Sequence, residues 1–184
     1  MRLYWVERAR TVWSLQDRIE GRVPLDALPM ELDRLRLISQ ALPTPAPEAV
    51  FCADAEPDKA SAQVFAEAFG IARFADARLA SLDMGAWAGL RRNEVRDRYG
   101  RQWRQWRARP DVTAAPEGET MLEAAERMRP AVRKMCARPA AVFVSDRETG
   151  ILVLTYLLGR PDNAGSPWQA LEPAARWAAV DVDI

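Results

Sequence analysis

Strands alternating with helices along the chain predict a three-layer α/β/α sandwich with a mostly parallel central sheet. Three observations lead there. The runs "LYWV" from Leu3, "AVFCA" from Ala49 and "AAVFVS" from Ala140 are apolar without alternation, as strands buried on both faces must be. Between them lie segments with apolar residues at helical spacing. The chain ends in "WAAVDVDI", where Val180, Val182 and Ile184 alternate with Asp181 and Asp183, the pattern of a half-exposed strand at a sheet edge.

The helices follow in order. Leu28, Leu32, Leu35, Ile38 and Leu42 share one helical face, with Pro29 in the first turn and Pro43 beyond the end. "PDKASAQVFAEAFG" reads as a helix entered at Pro57 and stopped at Gly70. "RRNEVRDRYGRQWRQWRARP" is a polar helical stretch interrupted at Gly100. Thr120 and Glu123 form a capping-box signature before a helix whose apolar face runs Met121, Ala125, Met128, Val132, Met135; Pro130 predicts a kink in it. "ILVLTYLLG" from Ile151 is apolar nearly all round and predicts a deeply packed helix. A chain of 184 residues suits one domain, 1–184, carrying a helical insertion at about 85–118.

Composition excludes several chemistries. There is no histidine, which removes the usual near-neutral acid–base group and the commonest transition-metal ligand. The two cysteines, Cys52 and Cys136, sit in apolar contexts and read as reduced core thiols, so a zinc site of Cys/His type is excluded. No metal and no cofactor are expected. Lys+Arg and Asp+Glu both number 26, so no global field favours nucleic acid or a membrane. No apolar run approaches the roughly 20 residues of a membrane span, and the start lacks a signal-peptide shape. A bacterial, cytoplasmic protein without a membrane partner is the expectation.

In parallel sheets the working site lies beyond the carboxyl ends of the strands. The segments there are "ERART", "DAEPDK" and "SDRETG", which should converge. "MRLYWVERARTVWSLQDRIEGR" resembles the start of the histidine phosphatase superfamily, the phosphoglycerate-mutase-like proteins, with Thr11, Trp13, Gly21 and Arg22 matching its pattern. "LASLDMGAWAGL" is similar to a second family stretch, with Leu79, Asp83, Gly85, Trp87 and Gly89 retained. "APEGETMLEAAERMRPAV" and "AVFVSDRETGILVLTYLLG" resemble two more, in the same order. The resemblance implies the phosphoglycerate mutase-like fold.

At the family's catalytic positions it fails. The arginine and nucleophilic histidine after the first strand correspond to Glu7 and Arg8, and the next two residues to Ala9 and Arg10. The second phosphate-binding arginine falls on Pro57, the proton-donating glutamate on Ser81 and the second histidine on Asp146, followed by Arg147 and Glu148. A phosphoryl site needs concentrated positive charge. Here Glu7, Asp146 and Glu148 offset Arg8, Arg10 and Arg147, so the expectation is a catalytically inactive member with a binding, regulatory or interaction role. Arg8, Arg10, Ser14, Arg22, Ser81, Asp146 and Arg147 are expected to line the cleft, with Arg8 paired to Asp146 and Glu7 to Arg147. One alternative is a phosphatase-like hydrolase with relocated catalytic residues in the same cleft, Asp146 or Glu7 acting as nucleophile or base beside Ser14 and Ser81. Another is a structural or interaction subunit using its Arg/Trp-rich surface.

That surface is the stretch holding Arg91, Arg92, Arg96, Arg98, Arg101, Arg104, Arg107 and Arg109, with Tyr99, Trp103 and Trp106 interleaved. Helical spacing favours aromatics packed inward and arginines solvated over a nucleic-acid surface. A protein partner or a second copy of the chain is the intermediate reading. Trp168 and Trp177 read as core packing, and Met121, Met128 and Met135 as core fillers.

Overall fold

The computed structural model describes residues 1–159 and 175–182. Five strands form one sheet: β1 (Arg2–Glu7), β2 (Ala49–Cys52), β3 (Ala72–Ala75), β4 (Ala140–Ser145) and β5 (Trp177–Asp181), in the order β3-β2-β4-β1-β5. β1, β2 and β3 run parallel to their neighbours β4, β4 and β2, while β5 pairs antiparallel with β1 at one edge. The predicted three-layer fold is therefore present. Strand β3 was not expected: all four of its residues are exposed, so it carries no apolar pattern, and it is held by backbone pairing to β2 and by Phe74 stacked on Phe51.

Helices cover both faces. On one, α2 (Pro29–Ala41) and α3 (Asp58–Phe69) pack over Tyr4, Val6, Val50, Val142 and Val144. On the other, α6 (Met121–Cys136) and α7 (Arg147–Leu152, continuing as a wider π-helical turn over Val153–Leu157) pack over Leu3, Trp5, Phe51 and Phe143. Successive strand residues thus feed opposite cores, and each central strand is apolar throughout for that reason. Helix α3 ends at Gly70 in the left-handed conformation (φ 64°), as its sequence predicts. Helix α6 runs without a break through Pro130, and Met121, Met128 and Met135 are fully buried.

The capping box at α6 forms as read: Thr120 accepts from the Glu123 amide (3.2 Å), and Glu123 accepts from the Thr120 amide (2.8 Å). Thr120→Ala should cost about 1 kcal/mol in urea unfolding, whereas Thr120→Ser should be close to neutral.

Helices α1 (Val12–Leu15), α4 (Arg92–Arg98) and α5 (Gly100–Ala108) complete the chain order. Trp106 is buried, and Trp103 and Tyr99 are half-buried. All three surround Trp87, with ring centroids 5.5 Å (Trp103), 5.8 Å (Trp106) and 6.2 Å (Tyr99) from it. Trp177 lies half-buried on β5; Trp168 and Ile184 fall outside the described residues. Both cysteines are free thiols. Among the described residues no helix is long and apolar enough to cross a membrane.

Candidate functional site

The carboxyl ends of β1, β2 and β4 converge, and the three loops predicted to meet there do so. The Arg8 amide donates to the Ser145 carbonyl (2.8 Å), and the Ala9 amide to Ser61 Oγ (2.9 Å), whose hydroxyl donates to the Pro57 carbonyl. These bonds join the β1 loop to β4 and to the start of α3. Above them opens a cleft of about 240 Å³ lined by Glu7, Arg8, Ala9, Arg10, Ser14, Asp17, Arg18, Glu20, Arg92, Asp146, Arg147 and Glu148.

Beneath the cleft, Arg8 is 7 % exposed and sits among three carboxylates. Nη1 contacts Asp58 (2.5 Å) and Ser81 Oγ (3.0 Å), and Nη2 contacts Glu20 (2.8 Å). Asp146 lies 3.9 Å away. The expected Arg8–Asp146 pair is thus corrected: Asp58 and Glu20 are the direct partners, and Asp146 connects to Arg8 mainly through Ser81, whose hydroxyl donates to Asp146 Oδ2 (2.5 Å). Asp58 is the first residue of α3, where a carboxylate suits the helix N-terminus. Burial alone would lower the Arg8 pKa, but Asp58, Asp146 and Glu20 together raise it above its ordinary value, so the guanidinium stays charged. Burial pushes Asp58 up to about 6 against the pull of Arg8, and Asp146 adds repulsion. One guanidinium serves three carboxylates, so this cluster is short of positive charge.

Asp146 is the N-cap of α7. It accepts from the Thr149 amide (2.8 Å) and hydroxyl (2.9 Å), so its donors are an amide and two hydroxyls rather than a guanidinium in direct contact. The other lining carboxylates are more heavily paired. Glu7 lies 3.2 Å from Arg147, as the sequence suggested, and 3.3 Å from Arg176. Glu148 meets Arg92 at 3.1 Å. Glu20 also accepts from Thr11 Oγ1 (2.6 Å) and from Ser14 Oγ. Asp17 stands 3.5 Å from Arg92 and is largely exposed.

Of the residues expected to line the cleft, Arg8, Arg10, Ser14, Asp146 and Arg147 do so. Ser81 instead opens onto two smaller adjoining cavities. Arg22 is turned to the Ser81 carbonyl (3.1 Å) and Glu119 (2.5 Å), bracing the 81–83 segment rather than the main cleft. Pro57, standing at the second arginine position, caps α3 and brings no charge. Arg10 meets Glu31 at 2.6 Å and Arg176 meets the same carboxylate at 3.0 Å, which ties α2 and the approach to β5 to the site. Glu31 is held below the usual carboxylate range: burial would raise it, but Arg10 and Arg176 outweigh that.

Sequence reasoning missed Asp58, Glu20, Arg92 and Arg176. Asp58 was readable as a carboxylate at the start of a helix, directly after the family's arginine position. No local signal placed Arg92 or Arg176 here. The thiols are excluded as nucleophiles at neutral pH, since burial, with Asp58 nearby, pushes Cys52 up to about 12. Among the described residues no group of three or more acidic, cysteine or histidine side chains is arranged to hold a metal ion.

Comparison with known proteins adds three findings. The model of "Histidine phosphatase superfamily (branch 1)" matches residues 6–182. A protein of Yersinia pestis named "Probable phosphoglycerate mutase GpmB" is 26% identical over 171 residues, spanning 89% of this chain and 78% of that protein. Among solved structures, a mycobacterial glucosyl-3-phosphoglycerate phosphatase superposes with a TM-score of 0.84 at 20% identity, covering 98% of this chain and 90% of its own. The alpha-ribazole phosphatase from Shigella flexneri does so with 0.77 at 16%, covering 100% and 91%. These names correct the expectation of an inactive protein, for the relatives are a mutase and phosphatases. The physical reason lies in the cleft. Counting by position found three arginines, whereas Arg18 and Arg92 join Arg8, Arg10 and Arg147 in lining the open space, beside the carboxylates of Glu7, Asp17, Glu20, Asp146 and Glu148.

Proposed function

The chain belongs to the histidine phosphatase superfamily, and on that premise we propose that it is a phosphatase-like hydrolase of small phosphate esters, with its chemistry relocated onto a carboxylate of the same cleft. Asp146 is the acting group. One observation carries the choice: among the described carboxylates at the floor of the cleft it alone is held by hydroxyl and amide donors with no described guanidinium closer than 3.9 Å. Arg92 meets Glu148 at 3.1 Å and Asp17 at 3.5 Å, Arg147 meets Glu7 at 3.2 Å, and both arginines are part-exposed, so a phosphoryl dianion can take their donors in place of Glu148 and Glu7. Asp146 then accepts a proton from a water as that water attacks phosphorus. The ester oxygen, departing on the opposite face of phosphorus, takes its proton from solvent water, and Asp146 returns its own proton to solvent so that the carboxylate is restored. Ser81 holds Asp146 in place and is a positioning residue.

Turnover of p-nitrophenyl phosphate and of 3-phosphoglycerate tests this. Asp146→Asn should lower kcat at least about 100-fold, with the melting temperature and KM little changed. Ser81→Ala should be milder. Absence of hydrolysis on both substrates, or an Asp146→Asn variant as active as the native chain, would overturn the reading.

A further inference from the structure

The chain carries no net charge, yet its charge is unevenly placed. Residues 91–109 hold eight arginines against two carboxylates, Glu94 and Asp97, so this limb has a surplus of six positive charges that the remainder of the molecule offsets. It contains no lysine. The apolar side of the limb is used up: Val95 and Trp106 are buried, and Tyr99 and Trp103 pack on Trp87. Arg91, Arg96, Arg98, Arg101, Arg104, Arg107 and Arg109 are exposed. Arg98 has only a 3.8 Å contact with Glu94. Arg96, Arg101 and Arg104 have no carboxylate within ion-pair distance among the described residues.

Beside these helices runs an open groove of about 560 Å³. Arg98, Arg101 and Gln105 form one side, and Val112 and Thr113 the other. Val112 is 60% exposed, an apolar contact on an otherwise cationic surface. The Gln102 side chain donates to the Ala114 carbonyl (2.9 Å) and fixes the two sides together.

We propose that the α4–α5 limb is a docking surface for an acidic polypeptide segment of a partner protein, laid along this groove with its carboxylates on Arg98 and Arg101, which line it, and on Arg104 beside it, and one apolar side chain against Val112. Arginine rather than lysine suits carboxylates, because its fork binds both oxygens at once. The same geometry disfavours single-stranded nucleic acid, which needs exposed aromatic faces for base stacking: both tryptophans of the limb are turned inward. Arg92 of the same limb lines the hydrolytic cleft, but the groove shares no lining residue with that cleft, and the docking proposal does not depend on the activity proposed for it.

The test is fluorescence anisotropy of a labelled Asp/Glu-rich peptide carrying one central leucine, with labelled oligothymidylate in parallel, at low and at physiological ionic strength. The peptide should bind, more weakly as salt rises, and should bind more tightly than oligothymidylate. Reversing the charges with Arg98→Glu, Arg101→Glu and Arg104→Glu together should weaken it at least about tenfold, while the circular dichroism melt stays in place. If the triple variant melts early, Arg101→Glu and Arg104→Glu as single variants make the same comparison at exposed positions. No binding by the native chain, unchanged affinity after charge reversal, or tighter binding of oligothymidylate would each overturn the proposal. So would a dimer by light scattering that charge reversal dissolves and that excludes the peptide.

Discussion

Replacing Arg8 by methionine is expected to destabilise the fold by about 3–5 kcal/mol, because it leaves the buried Asp58 and the part-buried Glu20 and Asp146 around a vanished cation. Asp58 is 2 % exposed and has Arg8 as its guanidinium partner at 2.5 Å. Glu20 and Asp146 share that cation. Removing it takes away the charge that holds the Asp58 pKa down against burial, so Asp58 takes up a proton more readily on folding and the deficit should be larger at about pH 8 than at about pH 5. The pairing with Asp58 makes a second measurement decisive. Asp58 binds its proton more tightly in the folded chain than in the unfolded one, since its pKa is pushed up to about 6. Its contribution is therefore fully present below the unfolded carboxylate range near 3.9 and is lost as pH rises through about 6. The native chain should accordingly lose ground against Asp58→Asn over that window. The double variant Arg8→Met/Asp58→Asn should recover part of what Arg8→Met alone loses. Urea denaturation across pH reads all of this. A pH-independent deficit, or none, would show that Asp58, Glu20 and Asp146 do not depend on Arg8.

Gly150→Ala is the other change expected to act strongly. Gly150 lies in α7, one turn beyond Asp146, and a Cβ there would come 2.1 Å from Trp5 Nε1. Trp5 has no room to yield. It is fully buried in β1, and its indole donates to Ser145 Oγ (3.0 Å). The added methyl must push α7 from the sheet, at a cost of about 3 kcal/mol. Because Asp146 caps the N-terminus of α7, the same displacement should lower the rate of ester hydrolysis in whatever fraction remains folded. A variant with native stability would mean that α7 and β1 approach less closely than described.

Both effects show where sequence reasoning reached and where it stopped. The buried strands, the helices and their caps were legible because wholly apolar runs and capping residues act locally. Strand β3 was not, since an exposed edge strand without alternation looks like loop until its neighbour is known. The convergence of three loops was legible from the rule for parallel sheets, and the family pattern marked the positions. Who pairs with whom was not. Two residues standing where the family's histidines face each other suggested an Arg8–Asp146 bridge, but Asp58, one position after Pro57, projects from the helix start into the same space and takes the guanidinium first. Arg92 and Arg176 come from distant stretches and reach the site only through the tertiary fold.

The sheet order has a consequence for how the molecule is made. β1 lies between β4 and β5, so Leu3 sits opposite Ala141 on one side and Val180 on the other. A ribosome delivers this greasy N-terminal ribbon long before either neighbour exists. It must remain unpaired until residues 140–181 have also emerged. Completion of the sheet therefore waits on closure of its longest loops.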